Sequence, residues 1–134
     1  MPENKITSYP KEKINILFLE NISDVAVKHF NVSGYTNVKK INGALSEAEL
    51  IAAIKDVHLL GIRSKTLITK KILDAAPKLQ AIGCFCIGVN QVDLKAATKN
   101  GVVVFNAPYS NTRSVAELVI GASIMLIRKI VDKN

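Results

Sequence analysis

With 134 residues, 49% of them hydrophobic, the chain is long enough for one packed domain and too apolar for a disordered segment. Its net charge of +7 comes from scattered basic pairs without interleaved aromatic residues, which disfavours nucleic-acid binding and leaves a solvated basic surface or attraction of a small anion. The two cysteines, Cys84 and Cys86, have no neighbouring ligands for a zinc site and are expected to be buried, reduced thiols of a cytoplasmic protein.

The chain alternates short apolar runs with segments that carry helix caps. After a flexible arm at residues 1–12, strands are predicted at residues 14–19, 35–41, 59–62, 79–86 and 102–105. Helices are predicted after Ser23, after the capping box Ser46–Glu49, after Thr69, after Asp93 and after a second capping box, Ser114–Glu117. This alternation predicts an α/β fold, a flavodoxin-like parallel sheet with helices on both faces, that ends in a long apolar helix.

The last helix, predicted at residues 114–131, has almost no polar face. A helix that is apolar all round must be covered on all sides by other protein. Residues 113–134 are therefore interpreted as an interdomain or dimer-type helix that follows a domain core at residues 13–112. No membrane span is expected, because the uncharged stretch at residues 118–127 falls well short of the roughly 20 residues that a bilayer requires.

Three segments that follow predicted strands could bind a ligand, because ligands of parallel α/β sheets bind beyond the carboxyl ends of the strands. Residues 63–66 (RSKT) offer cations and hydroxyls suited to a phosphate or carboxylate, or form a solvated turn. The loop around Gly88 permits close backbone approach to an anion, or is an ordinary turn. Residues 106–114 lead into a helix N-terminus, which favours anions, although simple capping by Ser114 accounts for them equally well.

Several functions lack their required residues. His29 and His58 do not follow strand ends and have no carboxylate placed to orient them as bases, so both are interpreted as structural. The chain contains no glycine-rich dinucleotide motif, no P-loop and no cluster of metal ligands. A receiver domain is excluded, because Glu20 alone follows the first strand and Arg63 stands near the place of the phosphorylated aspartate.

A family resemblance rests on residues 81–121, AIGCFCIGVNQVDLKAATKNGVVVFNAPYSNTRSVAELVIG, together with GIRSKT at 61–66 and GYTNV at 34–38. This combination resembles the substrate domain of bacterial D-3-phosphoglycerate dehydrogenases, which are D-isomer-specific 2-hydroxyacid dehydrogenases, over about residues 13–131. The resemblance implies NAD-dependent oxidation of 3-phosphoglycerate, a 2-hydroxy acid, to the 2-oxo acid in serine biosynthesis.

The resemblance also implies roles for individual residues. The implied substrate-binding residues are Arg63, Ser64, Lys65, Ile87, Gly88 and Asn111. The implied cofactor-facing residues are Ile87, Ser114 and Val115. Many relatives carry a second arginine where this chain has Lys65, so the charge is kept here but a two-pronged grip on phosphate is not.

The family's catalytic Arg, Glu and His and its glycine-rich nucleotide loop follow the matched part of the chain. We therefore expect a truncated chain that is inactive alone, does not bind NAD tightly, and joins a homo-oligomer or the rest of the enzyme. Its expected ligand is a small phosphorylated anion. Alternatively, the chain is a structural or regulatory interaction module that pairs through its apolar helix. Nonspecific binding of nucleic acid through the basic charge is the third and weakest hypothesis.

Overall fold

A computed structural model describes residues 9–130 as one parallel sheet whose strands are connected through helices. The strands are β1 (Ile16–Phe18), β2 (Val38–Lys40), β3 (Leu59–Ile62), β4 (Ala81–Cys84) and β5 (Val103–Asn106). The helices are α1 (Asp24–Val32), α2 (Glu47–Ile54), α3 (Lys70–Asp74), α4 (Leu94–Lys99) and α5 (Thr112–Ile127). The strand order β2-β1-β3-β4-β5 is the flavodoxin-like order, so the predicted fold class is confirmed.

The larger core lies between one face of the sheet and three helices. Successive side chains of a strand point to opposite faces, so Leu17, Leu60 and Ile82 lie together on this face. These three residues are at most 2% exposed. The helical residues buried in the same cluster are Leu50 and Ile54 of α2, Ile72 and Leu73 of α3, and Ala96 and Ala97 of α4.

The opposite face of the sheet is covered in part by α1. Phe18 lies edge-on against Phe30 of α1, with ring centroids 5.5 Å apart. Its ring also lies over Gly61 of β3, where an added Cβ would come within 2.4 Å of Phe18 Cδ1. A side chain larger than hydrogen at this position would displace the Phe18 ring. Farther along this face, Val103 and Phe105 of β5 are 52% and 61% exposed.

The two predicted capping boxes have different outcomes. At α2 the box is present: Ser46 Oγ accepts from the N–H of Glu49, and Glu49 Oε2 accepts from the N–H of Ser46 at 2.8 Å. The box at Ser114 is wrong, because α5 begins two residues earlier and the Glu117 carboxylate pairs with Arg113 Nε at 2.6 Å instead. An arginine four residues before a glutamate on one helix face competes effectively for it.

Other details of the predicted elements also differ from the structure. Thr69 stands at the N-cap of α3, but its hydroxyl makes no capping hydrogen bond. β1, β2 and β4 are shorter than predicted. Residues 1–8 of the predicted flexible arm lie outside the described residues, and Lys11–Lys13 form a single 3-10 turn.

The long helix α5 is exposed along its whole length. Its exposed apolar residues include Val115, Leu118, Val119, Ile120, Ile124, Met125, Leu126 and Ile127. None of its residues is buried, so it adds no side chain to either core of the described chain. Between residues 9 and 130, no helix combines the length and apolar character needed to cross a membrane.

Candidate functional site

A cleft of about 310 Å³ opens at the carboxyl edge of the sheet, where three strand-end loops meet. Glu20 and Asn21 follow β1, residues 42–44 follow β2, and residues 63–65 follow β3. The strand order places β1 between β2 and β3, so these three loops are neighbours although they are far apart along the chain. One of the three segments predicted from the sequence, residues 63–66, therefore contributes to a concave surface.

Glu20 holds the loop after β3 in place. Its side chain is buried, with 7% of the residue exposed. Its carboxylate accepts hydrogen bonds from the backbone N–H groups of Arg63 at 3.2 Å, Lys65 at 2.9 Å and Thr66 at 2.9 Å. The backbone N–H of Glu20 donates to the Gly43 carbonyl at 3.0 Å, so this residue connects all three loops. In the sequence, Glu20 was noted only as a single acidic residue where a receiver domain would have an acidic cluster. Its role in holding the loop was not predicted.

The backbone of Glu20 has a left-handed conformation, with φ of 58°, which is uncommon for a residue other than glycine. Asn21 follows with φ of 54°. Two successive residues in this region turn the chain sharply after β1 and bring the carboxylate under the loop of residues 63–66. Such conformations persist where the surrounding structure holds them, and the hydrogen bonds of Glu20 do so here.

The pKa of the Glu20 carboxyl is lowered. Burial raises this pKa, but the neighbouring Thr66 side chain and the three backbone N–H donors together lower it by more. The Thr66 hydroxyl is buried and makes no hydrogen bond of regular geometry. The well-formed hydrogen bonds to the Glu20 carboxylate therefore come from the three backbone N–H groups. Because the folded-state pKa is depressed, Glu20 contributes stability above its unfolded-state pKa, and this contribution is lost as the pH falls through the folded-state pKa.

The side chains of the same loop are available to a ligand. Arg63, Ser64 and Lys65 are exposed, and within residues 9–130 their side chains have no hydrogen-bond or ion-pair partner. Arginine presents a planar fork of donors that matches phosphate and carboxylate oxygens, and lysine adds a mobile point charge. The loop thus combines a fixed backbone with cationic side chains beside the cleft, an arrangement suited to a small anion.

Gln91 connects this loop to the second predicted segment, around Gly88. Its amide nitrogen Nε2 donates to the Arg63 carbonyl at 2.9 Å and to the Gly88 carbonyl at 3.3 Å, and the residue is 4% exposed. Asn106 at the end of β5 donates from Nδ2 to the Ile87 carbonyl at 2.7 Å. Two amide side chains, one in the turn after β4 and one at the end of β5, therefore fix the position of the Ile87–Gly88 loop, a feature that the sequence did not reveal.

Replacing Gln91 by leucine is expected to lower the free energy of unfolding by about 1–3 kcal/mol, because it leaves the Arg63 carbonyl without its buried donor and the Gly88 carbonyl with only the weak thiol donor of Cys86. Urea denaturation of the variant beside Gln80→Leu provides the comparison. Gln80 is exposed, so the same change there should alter stability by less than about 0.5 kcal/mol. Equal effects of the two substitutions would show that the Gln91 amide does not hold the loops together.

In the described part of the chain, the third predicted segment is joined to the second only at its first residues, through the hydrogen bonds of the Asn106 side chain and the Ala107 N–H. Asn111 is the N-cap of α5, without a capping hydrogen bond, and Ser114 and Val115 lie exposed in its first turn. Within the described residues, none of these side chains has a hydrogen bond to the loops after β3 or β4. Of the predicted site residues, Arg63, Ser64 and Lys65 are linked through Gln91 to Ile87 and Gly88, and the other three stand apart.

The other residues singled out from the sequence include His58 and the two cysteines. His58 is buried at the start of β3, where its Nδ1 accepts the N–H of Asn15 at 3.0 Å. Both cysteines are free, as predicted. Cys84 is buried, and this burial raises the pKa of its thiol to about 11. Cys86 is only partly buried, which corrects the expectation of two buried thiols; the chain turns out of the sheet after Cys84. The described residues contain no group of three potential metal ligands.

Comparison with protein families gives a match over most of the chain. The sequence model described as "D-isomer specific 2-hydroxyacid dehydrogenase, catalytic domain" matches residues 16–126. D-3-phosphoglycerate dehydrogenase of Dictyostelium discoideum is 56% identical over 128 residues, 96% of this chain and 31% of that protein. The protein of the same name from Escherichia coli K12 is 50% identical over 127 residues, 95% of this chain. This chain spans about a third of the length of these curated relatives, 31% in both cases.

Solved structures agree on the fold. The TT0316 protein of Thermus thermophilus superposes with a TM-score of 0.77 at 24% identity, covering 89% of this chain and 38% of that one. A cofactor (NAD+) bound 3-phosphoglycerate dehydrogenase of Entamoeba histolytica gives a TM-score of 0.69 at 26% identity, covering 84% of this chain and 39% of that one. The folded region described above thus corresponds to between a third and two fifths of each of these chains.

Proposed function

Because this chain belongs to the D-isomer specific 2-hydroxyacid dehydrogenase family, we propose that it provides the substrate half-site of an NAD-dependent dehydrogenase that acts on 3-phosphoglycerate. The observation that carries this proposal is the loop of residues 63–65, whose cationic side chains lie free beside a cleft at the carboxyl edge of the sheet. The names of the relatives, which share half or more of their aligned residues with this chain, support the choice of substrate.

In this proposal the two connected loops bind opposite ends of the substrate. Arg63, Ser64 and Lys65 hold the phosphate through charge-assisted hydrogen bonds. Ile87 and Gly88 present backbone to the carboxylate, at the edge that faces the cofactor. Asn111 contributes at the mouth of the site. The hydrogen bonds of Gln91 to Arg63 and Gly88 support this division, because they fix the spacing of the two loops before any ligand arrives.

Hydride transfer needs more than this half-site. A nicotinamide and a general base must both be held against the substrate carbon. Ser114 and Val115 are proposed to face NAD, but neither residue lines the cleft, and no histidine among residues 9–130 lies at the carboxyl edge. We therefore propose that this chain alone binds NAD weakly and does not catalyse the reaction, and that the remaining groups come from other parts of a longer cytoplasmic enzyme or from a partner subunit.

Calorimetric titration tests the assignment of the substrate. The chain should bind 3-phosphoglycerate, and it should bind glycerate, which lacks only the phosphate, at least about tenfold more weakly, since one charge-assisted contact contributes about that factor. Equal affinity for the two ligands would refute a phosphate-binding role of residues 63–65.

A second candidate function is an interaction module, which the exposed apolar residues of α5 favour. Patches larger than a few hundred Å² on soluble proteins usually mark contact surfaces. In this case the chain would pair through α5 with another copy or with a full-length dehydrogenase. Co-purification with the full-length enzyme that is lost when α5 carries a charged residue, without any binding of 3-phosphoglycerate, would favour this function over the first.

A further inference from the structure

We infer that Glu20 is a positioning residue for anion binding: its buried carboxylate organises residues 63–66 so that their side chains, rather than their backbone N–H groups, recognise the ligand. The inference rests on the proposed function, because the ligand is taken to be a phosphorylated 2-hydroxy acid. It adds a negatively charged residue to a site that otherwise consists of cations and neutral groups. This role of Glu20 was not predicted from the sequence.

The first step of the argument concerns the backbone donors of the loop. Successive N–H groups in a turn often form a concave nest that binds an anion directly. Here three of the four N–H groups of residues 63–66 already donate to Glu20, at 2.9 to 3.2 Å. The internal carboxylate thus occupies the nest in place of a ligand. Only the N–H of Ser64 remains for the ligand, together with the side chains of Arg63, Ser64 and Lys65.

The second step concerns the direction of the side chains. A loop that is tied to a buried carboxylate through three hydrogen bonds has few alternative backbone conformations, which lowers the entropy that ligand binding must remove. Glu20 also lines the cleft itself, together with Asn21 and residues 42–44. Arg63 and Lys65 therefore start from backbone positions at the rim of the cleft and can close over an anion within it.

The third step concerns the sign of the charge effect, which makes the inference testable. A carboxylate beside an anion site repels the ligand by Coulomb's law, so neutralising Glu20 should strengthen binding if charge alone matters. If Glu20 acts by positioning the loop, neutralising it should weaken binding, because a glutamine places an NH₂ group against at least one backbone N–H. The two accounts predict changes of opposite sign.

The experiment compares the chain with Glu20→Gln in two measurements. Without ligand, amide hydrogen exchange by NMR should show protected N–H groups at Arg63, Lys65 and Thr66, with exchange at least about tenfold faster in the variant. With ligand, the affinity for 3-phosphoglycerate should fall by about tenfold. Glu12→Gln is the matched control: Glu12 is exposed before β1, so the same loss of charge there should leave both readouts unchanged.

The outcomes separate the possible explanations. Tighter binding by Glu20→Gln, or unchanged exchange at the three amides, would overturn the inference. If the unaltered chain does not bind 3-phosphoglycerate but its amides lose protection in the variant, the proposed substrate is wrong while the positioning of the loop by Glu20 stands. Should Glu20→Gln fail to fold, Glu20→Asp replaces it. This variant keeps the charge but shortens the reach, and unchanged affinity and exchange in it would likewise refute the inference.

Discussion

Replacing Arg63 by glutamine is expected to weaken the binding of 3-phosphoglycerate by roughly 10- to 100-fold, the range for losing a charge-assisted hydrogen bond. Arg63 is exposed at the rim of the cleft, and within the described residues its side chain has no protein partner that would be left unpaired. The fold should therefore be unaffected, and the loss should appear entirely in binding. Isothermal titration calorimetry measures the affinity, and thermal unfolding checks the fold.

Two companion variants make this result specific. Lys65→Arg should tighten binding several-fold, because a guanidinium can form two parallel hydrogen bonds to a phosphate where an ammonium offers a point charge. Arg128→Gln removes the same charge as Arg63→Gln, but at the far end of α5. If it weakens binding as much as Arg63→Gln does, the effect comes from the net charge of +7 and not from a local phosphate site.

Introducing glutamate at Leu126 is expected to reduce self-association of the chain by at least about 100-fold. Leu126 is 76% exposed and lies next to Ile127, which is 80% exposed. Burying one such side chain stabilises an interface by about 1.5–3 kcal/mol, so association through α5 would be driven by several such contributions. A glutamate at position 126 removes one of them and places a charge in the interface, which is unfavourable. Sedimentation velocity over a range of concentrations measures the change.

The stability of the sheet should not change in Leu126→Glu, since no core cluster of the described chain includes a residue of α5. Val32→Glu on α1 provides the matched control, because Val32 is 90% exposed but has no long apolar helix around it. Its association should equal that of the unaltered chain. A strictly monomeric unaltered chain, at concentrations where α5 is helical, would contradict an association role for this helix.

The sequence predicts the fold well because its signals are local. The apolar runs that become β1 and β3, the capping box at Ser46 and the cap at Asp93 each lie within a few residues of the element that they specify. The misplaced start of α5 has a local cause too: Arg113 takes the Glu117 carboxylate that a cap at Ser114 would have needed. Sequence spacing allows the Glu117 carboxylate to bind either Arg113 or the N–H of Ser114. Only the three-dimensional geometry decides between these two partners.

The site is less predictable, because its supports are distant along the chain. Residues 63–65 stand out as a cationic strand-end segment, but Glu20 lies 43 positions before Arg63, and Gln91 lies 28 positions after it. Neither residue belongs to a local motif. The signal that could have identified Glu20 is the rarity of a carboxylate at the end of a buried strand in the middle of the sheet, where charge is costly without donors.

The most direct test of the central claim is amide NMR of the chain during separate titrations with 3-phosphoglycerate and NADH. The account predicts that phosphoglycerate shifts the amides of residues 63–66, of the Ile87–Asn90 loop and of Asn111, and that NADH at the same concentration shifts none of them. Shifts from phosphoglycerate that lie elsewhere, or no shifts from either ligand in a folded sample, would contradict the claim that this chain carries a substrate half-site of its own.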